Sequence, residues 1–463
     1  MTTFHIQAPS TLQTSISLSA SKSISNRALV LNALCKNPKP LINLASCDDT
    51  ETVIQALTEK KDFIDVGAAG TAMRFLTAYF SAQPGHFTLT GTERMKNRPI
   101  KLLVNALRSV GASIEYLEKE GYPPLYIKGQ SLKGGEIEID GGISSQYISA
   151  LLMMAPLMTN GLRLHLTGRI ISMSYIHITI QLMRQFGVSV FHEGAAITVP
   201  PQSYTSIEDF VVESDWSAAS YWYEMVALCN NNMASVSLSG LRPDSLQGDA
   251  GIISLFDTLG VETTFTASGI TLSKKQRDNM ADYDSDMARK KVIFEYDFTM
   301  MPDMAQTAVV TCAMLHIPFR FTGLQSLKIK ETDRLCALRT ELFKLGYLLE
   351  IQNDDTLIWR PDRPSVSIDL PSIHAMSNQK AKLQLCTLAD KHNVHAIPSL
   401  QASKQNDPPV IVTYDDHRMA MSFAPVSLCE REGIKIIDPE VVSKSYPTFW
   451  DDMKKANFLI TQI

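Results

Sequence analysis

Residues 180–199 read IQLMRQFGVSVFHEGAAITV. The stretch starts as a helix end and stops at Gly187. Period-two alternation follows at Ser189–Phe191, then the turn HEGA, then a second alternating run at Ala196–Val199. A glycine directly after a helix supplies positive φ at little steric cost. The same plan recurs at 103–129 (LVNALRSVGASIEYLEKEGYPPLYIKG), 256–272 (FDTLGVETTFTASGITL) and 340–359 (TELFKLGYLLEIQNDDTLIW), with Gly111, Gly260 and Gly346 as the stops. Two weaker copies are VIQALTEKKDFIDVG at 53–67 and FWDDMKKANFLITQI at 449–463, the last lacking its second strand. Six units result, spaced mostly by roughly seventy to eighty residues, too long for ordinary solenoid repeats.

Each unit also holds an earlier, more apolar helix. These begin SKSISNRALVLNAL (21–34), GAAGTAMRFLTAYF (67–80), ISSQYISALLMMAPL (143–157), DWSAASYWYEMVAL (215–228), MPDMAQTAVVTCAML (301–315) and DDHRMAMSFAPVSL (415–428). All are polar or charged in front and apolar nearly all round behind, the pattern of a buried helix. Each unit is therefore two helices plus strands, one helix central and one facing solvent. Helix N-termini carry partial positive charge and unsatisfied N–H groups. Cations at such a front make sense if an anion docks there. Six fronts pointing into one cleft would sum towards an anion.

The 463 residues suggest two domains or more. The chain is 45% hydrophobic and 20% charged, ordinary for a globular protein with real cores. Its formal charge of −5 gives no global basic field, which argues against nucleic acid. Cys35, Cys47, Cys229, Cys312, Cys336, Cys386 and Cys429 are scattered without CxxC spacing. That pattern fits core fillers in a reducing cytoplasm better than a disulfide framework or a zinc site. MTTFHIQAPS has no signal-peptide pattern, and the longest apolar run, ALLMMAPLM at 150–158, is too short to span a bilayer.

Further cations cluster in GTERMKNRP (Arg94, Lys96, Arg98), SLKIKETDRL (Lys328, Lys330, Arg334), DDHRMAM (His417, Arg418) and VVSKSYP (Lys444); Arg74 follows GAAGTAM. Lys96 and Lys328 read as solvated. Arg98 before Pro99 reads as a helix cap aimed along the dipole. A locally positive site in a negative chain favours a small polyanion over a polymer. Asp303 and Glu331 lie among these cations. Asp303 is either an N-cap or an acid–base group, and Glu331 either a helix-start acid or an acid–base group, with neighbouring cations lowering and burial raising the pKa of each. There is no GxGxxG, Walker loop, HExxH or GxSxG.

With these residues assembled, the chain closely resembles the 5-enolpyruvylshikimate-3-phosphate synthase family. The matching segments are SKSISNRA, AGTAMR, ERMKNRP, SSQYISALL, SMSYIHIT, PDMAQT, KETDRL, DDHRMAM and SKSYP, in family order and across nearly the whole chain. The resemblance implies an α/β fold, a two-domain inside-out α/β barrel of six two-helix, four-strand units. One domain would be roughly 21–213. The other would combine 1–20 with 214–463, with the active site between them.

It implies a transferase of the shikimate pathway that joins phosphoenolpyruvate to the 5-hydroxyl of shikimate 3-phosphate and releases phosphate. No metal or organic cofactor, no nucleic acid and no membrane are expected, and a cytoplasmic monomer is. By matching motifs, Lys22, Ser23 and Arg27 contact the substrates. Ser144, Ser145, Ser172 and Tyr175 contact shikimate 3-phosphate, with Gln146 between the ligands. Gly70, Arg98, Arg334, Arg418 and Lys444 fall on phosphoenolpyruvate; Asp303 and Lys330 fall on the shikimate hydroxyl. Asp303 matches the family's general base, Glu331 its partner in proton transfer at the methylene carbon, and Lys22 is a third catalytic candidate. His417 is a possible addition, and inhibition by glyphosate is implied.

The chain departs from the family at Ala68, Phe75 and Ser326, which bear on fine substrate contacts. Residues 365–410 are longer than the family suggests and read as a loop excursion. Two other readings stand beside this one. A UDP-N-acetylglucosamine carboxyvinyltransferase would carry a reactive cysteine in an exposed loop, which no cysteine here matches. A non-catalytic anion-binding repeat protein would leave Asp303 and Glu331 without a role.

Overall fold

A computed structural model of the protein describes residues 2–59, 61–142, 144–275, 293–361 and 407–463. The opening stretch forms helix Met173–Gln185, a left-handed Gly187 (φ 82°) and the hairpin Phe191–Glu193 with Ala196–Val199. The first strand begins two residues later than the alternation suggests, because Ser189 N–H is taken by Gln202 Oε1 at 2.9 Å. Gly111, Gly260 and Gly346 have φ of 103°, 86° and 90°. In the last copy Asn457 takes the same place after helix Phe449–Lys455, at φ 66°. Asn is the side chain that tolerates this conformation best.

Among the described residues there are five four-stranded sheets, all on one plan. The first and second strands of a unit run parallel, and the fourth lies antiparallel between the second and third. A helix links the parallel pair, as a parallel connection requires. Sequence periodicity leaves the final unit one strand short. The chain's own beginning fills that gap: Thr3–Gln7 pairs with Ile434–Ile437 on one side and Leu459–Gln462 on the other.

Another sheet is interrupted. Its first strand is Gln13–Ser17 and its second is Ser235–Ser239, so residues between them form an insertion. The weak copy at 53–67 is corrected by the structure. Helix Asp48–Thr58 leads not to a hairpin but to Phe63–Asp65, the first strand of the next sheet. In that unit the described residues keep helices Lys22–Ala33 and Asp48–Thr58 and two isolated bridges, Ala20 with Ser214 and Ile42 with Val211.

Two hydrophobic cores follow the same division. One gathers residues from 20 to 212, the other residues 6–18 with 216–458. Central helices are buried nearly all round, as their composition requires. Ala305–Met314 and His417–Phe423 are wholly buried, and Gly70–Ser81 exposes only Tyr79 in part. Ser145–Met154 packs between Gly70–Ser81 and Met173–Gln185; Ala305–Met314 packs between Trp216–Leu228 and His417–Phe423. Solvent-side helices are amphipathic instead, such as Lys101–Ser109, which buries Leu103, Val104 and Leu107 on one stripe. Cys35, Cys47, Cys229 and Cys312 are buried, as core fillers would be; Cys429 is exposed and Cys336 is disulfide-bonded, both against that reading, and neither lines the cleft described next. The excursion read at 365–410 falls almost wholly outside the described residues. Among the described residues no helix is long and apolar enough to cross a membrane.

Candidate active site

Five of the six central helices deliver their front residues to one cleft between the two cores. Lys22 and Ser23 open Lys22–Ala33, Gly70 and Thr71 open Gly70–Ser81, and Ser144 caps Ser145–Met154. Asp303 comes from the short turn Pro302–Met304 that leads into Ala305–Met314, and His417 and Arg418 open His417–Phe423. The sixth front differs. Asp215 caps Trp216–Leu228 by accepting from Ser217 N–H, so this front carries an acid and does not line the cleft.

Every residue that the resemblance assigns to the site lines this cleft except Lys444. Lys444 lies in an adjoining cavity that shares Asp49, Arg98 and Glu331 with it, and reaches in by pairing with Glu331 Oε1 at 3.3 Å. Lys96 and Lys328 stay outside, paired with Glu118 (3.1 Å) and Asp354 (2.7 Å), as read.

Arg334 is the hub. It is 1% exposed and holds Asp416 (2.7 Å), Glu331 (2.7 Å) and Asp303 (3.0 Å). Lys330 at 3.4 Å and Arg418 at 3.2 Å complete three cations around the Asp303 carboxylate. Burial works against that carboxylate's charge, but Arg418, Lys330 and Arg334 outweigh it and hold Asp303 well below the usual range. Glu331 is held low in the same way, with burial opposed by Lys444, Arg334 and Arg98. The competition left open by the sequence is thus won by the cations. Asp303 caps neither the turn nor the helix that follows, which removes the capping alternative.

Arg98 is not a helix cap either. Its N–H donates to the Met95 carbonyl, and the next helix starts at Lys101. Its guanidinium lies over Gly70, where a built Cβ would fall within 3.0 Å of Cζ. Arg27 and Arg74 are buried and have no carboxylate partner among the described residues. Arg27 donates to Thr179 Oγ1 (2.7 Å), the Ser23 carbonyl (2.8 Å) and Ser149 Oγ (3.2 Å). Arg74 donates to the Gly70 and Pro99 carbonyls. Burial pulls both guanidinium groups down to about 10, still fully charged at neutral pH. Lys22 pairs with Asp49 at 3.4 Å; burial opposes its charge, but Asp49, Cys47 and Glu331 push it up overall. Buried positive charge without matching carboxylates is a receptor for anions.

The polar side chains are arranged around these charges. Gln146 donates to Thr71 Oγ1 at 3.1 Å, and Ser326 is nearly buried on the turn Gln325–Ile329. Ser172 sits at φ 54°, a left-handed conformation that costs a non-glycine residue about 1–3 kcal/mol and collects at functional sites. Tyr175 Oη lies 3.0 Å from Asp303 Oδ2 and 3.3 Å from Asp249 Oδ2. Neither ring nitrogen of His417 has a protein partner among the described residues, and burial with the Lys22 charge keeps the ring neutral.

Asp49, Asp249 and Asp416 belong to the site without being singled out by the sequence. Asp416 looks like a cap, and is one for Arg418 N–H, yet the same carboxylate pairs with Arg334. Asp249 sits on a short turn with no periodic signal, and burial with the nearby Asp303 charge pushes it up to about 6.

Such a fold, with several cations beside two carboxylates in one cleft, defines a class of two-core α/β proteins built to receive small anionic ligands. The model for EPSP synthase (3-phosphoshikimate 1-carboxyvinyltransferase) matches residues 6–62 and 57–453. A 3-phosphoshikimate 1-carboxyvinyltransferase of Bacteroides fragilis (strain YCH46) is 49% identical over 454 residues, covering 98% of this chain and 97% of that protein. One of Vibrio campbellii is 33% identical, covering 98% and 99%. An EPSP synthase structure from Acinetobacter baumannii superposes with a TM-score of 0.69 at 20% identity, covering 100% of both chains, a likeness of fold. The chain belongs to the EPSP synthase family.

Proposed function

We propose that this protein transfers the enolpyruvyl group of phosphoenolpyruvate to the 5-hydroxyl of shikimate 3-phosphate and releases phosphate, as a cytoplasmic monomer of the shikimate pathway. We also propose the domain division 21–213 against 1–20 with 214–463. The observation that carries the reaction is the pair Asp303 and Glu331, joined through Arg334 on one wall of an anion-receiving cleft. An anion-binding repeat protein has no use for two largely buried carboxylates in a site meant for anions.

The chemistry needs those groups. The hydroxyl attacks C2 of phosphoenolpyruvate while a proton is added at C3; that proton transfer then reverses as phosphate leaves the tetrahedral intermediate. We assign Asp303 to the hydroxyl proton, with Lys330 holding the hydroxyl. Glu331 and Lys22 serve the carbon and the departing phosphate. Lys22, Arg98, Arg334, Arg418 and Lys444 take phosphoenolpyruvate, with Gly70 allowing close approach. Ser23, Arg27, Ser144, Ser145, Gln146, Ser172, Tyr175 and Ser326 take shikimate 3-phosphate, and His417 stays a neutral neighbour.

Asp303 by itself is a weak base because three cations stabilise its charge. Anionic substrates would engage those same cations and return basicity to it. Binding and activation of the base are thus one event, and the held geometry supplies proximity as well as charge stabilisation. Glyphosate would compete with phosphoenolpyruvate at Arg98 and Lys444.

Phosphate release measured with phosphoenolpyruvate and either shikimate 3-phosphate or UDP-N-acetylglucosamine tests the assignment. Release with the first acceptor alone is expected. Release with the second, or with neither, overturns it.

A further inference from the structure

The two cores meet along two separate seams flanking the cleft. One joins Arg94 to Asp415 at 3.1 Å and Ser443 to Asp48 at 2.7 Å, and lines the cavity that holds Lys444. The other joins residues 169–174 to residues 297–300. There Ser172 N–H donates to the Thr299 carbonyl at 2.9 Å, and the Ser174 hydroxyl donates to the Met300 carbonyl. Arg169 Nη2 donates to Thr299 Oγ1 at 3.0 Å. Asp297 braces Thr299 by accepting from its N–H at 2.9 Å and from its hydroxyl. Gly323, at φ 77°, makes room for this turn, since a Cβ there would strike Asp297 and Thr299.

The place of the second seam in the chain is what matters. Ser174 lies between Ser172 and Tyr175 on one side. On the other, the Thr299–Met300 turn leads directly into the Pro302–Met304 turn that carries Asp303. The register of this docking therefore sets how far Tyr175 stands from Asp303, 3.0 Å here. It also helps hold Ser172 in its left-handed conformation, because among the described residues the Ser172 N–H finds its acceptor across the cleft.

We propose that Ser174 and Arg169, seated on the Thr299–Met300 turn, are positioning residues. As the halves close, they set Ser172 and Tyr175 for shikimate 3-phosphate and bring Tyr175 to Asp303. The proposal rests on the reaction proposed above. It assigns a division of labour: this seam serves the shikimate 3-phosphate side, and the Arg94 seam serves the phosphoenolpyruvate side.

Steady-state kinetics of the full chain test it with Ser174→Ala, Arg169→Ala and Arg94→Ala. Losing the Ser174 hydrogen bond, or the Arg169 contacts to Thr299 (3.0 Å), Asp297 (3.5 Å) and Asp355 (3.9 Å), should lower kcat/KM for shikimate 3-phosphate about threefold to tenfold, while KM for phosphoenolpyruvate moves less than about twofold. Arg94→Ala should show the reverse split. Arg169 is more than half exposed, so its variant should melt with the parent. Equal losses towards both substrates, parental shikimate 3-phosphate kinetics in both seam variants, or a loss confined to a variant with lowered Tm would overturn the proposal. Absence of turnover in the parent protein would overturn the reaction itself, and this inference with it.

Discussion

Asp303→Asn separates acid–base work from charge balance. Asn keeps the shape and can accept a hydrogen bond from Tyr175, but it carries no charge and takes no proton. The Asp303 carboxylate faces Lys330 at 3.4 Å, Arg334 at 3.0 Å and Arg418 at 3.2 Å. After the substitution Arg334 still has Glu331 and Asp416, whereas Lys330 and Arg418 keep no carboxylate pair among the described residues. Removing one partner of a buried pair costs about 3–5 kcal/mol. The Asp303 side chain is 13% exposed, which argues for the lower end, about 3 kcal/mol. The ligand-free variant should therefore melt several degrees below the parent. Bound anions replace the missing charge, so shikimate 3-phosphate should raise the variant's Tm by more than it raises the parent's. Turnover should fall by about 10²–10⁴-fold, the contribution of a general base. Melting curves with and without shikimate 3-phosphate, alongside phosphate release, measure both effects. Turnover within about tenfold of the parent would move the base to Glu331 or Lys22. Identical melting of the two ligand-free proteins would refute the electrostatic half of the reasoning.

Three further outcomes follow from the same geometry. Gly70→Ala adds a methyl where the Arg98 guanidinium lies, at a helix position without positive φ; Tm should hold or rise, while KM for phosphoenolpyruvate rises about tenfold and glyphosate inhibition weakens further. Parental affinity for both would show that Arg98 does not hold that ligand. Asp249 titrates at about 6 in the fold, against about 3.9 in an unfolded chain. The folded state binds more protons in that window, so stability is lost as pH rises through it. The stability advantage of Asp249→Asn over the parent, followed by denaturant unfolding, should therefore grow between about pH 4 and pH 7, towards at most about 3 kcal/mol; a pH-independent difference sinks the assignment. Small-angle scattering should record compaction when shikimate 3-phosphate and glyphosate bridge the cleft cations, and a constant radius at saturation counts against closure.

Much of the site is legible in the chain because its residues come in short runs. KETDR supplies Lys330, Glu331 and Arg334 within one turn and its helix start, and DDHR supplies Asp416, His417 and Arg418 in succession. Their chemical types announce an anion. What the runs do not disclose is pairing. Asp416 reads as a cap and is one, yet it also anchors Arg334 from a segment 82 residues away. Arg98 before Pro99 reads as a cap and is not, because Ile100 intervenes before the helix. Asp249 has no local signal at all, since only the fold brings Ser217, Tyr175 and Asp303 around it.

The sequence by itself determined the repeat: helix, positive-φ stop, hairpin and buried helix are local patterns set by side-chain period and glycine stereochemistry. It also determined, through its ordered motifs, the family. Only the tertiary structure decided that Thr3–Gln7 completes the last sheet, since pairing a chain's two ends leaves no local trace. Only the tertiary structure decided the protonation states of the carboxylates. Burial pushes the pKa of Asp303 and of Asp249 up alike. The outcome turned on distances: Asp303 has three cations within 3.4 Å, while Asp249 has a tyrosine, a serine and another acid. Those distances are set by packing between segments far apart in the chain, and a Coulomb energy cannot be read before the charges have been brought together.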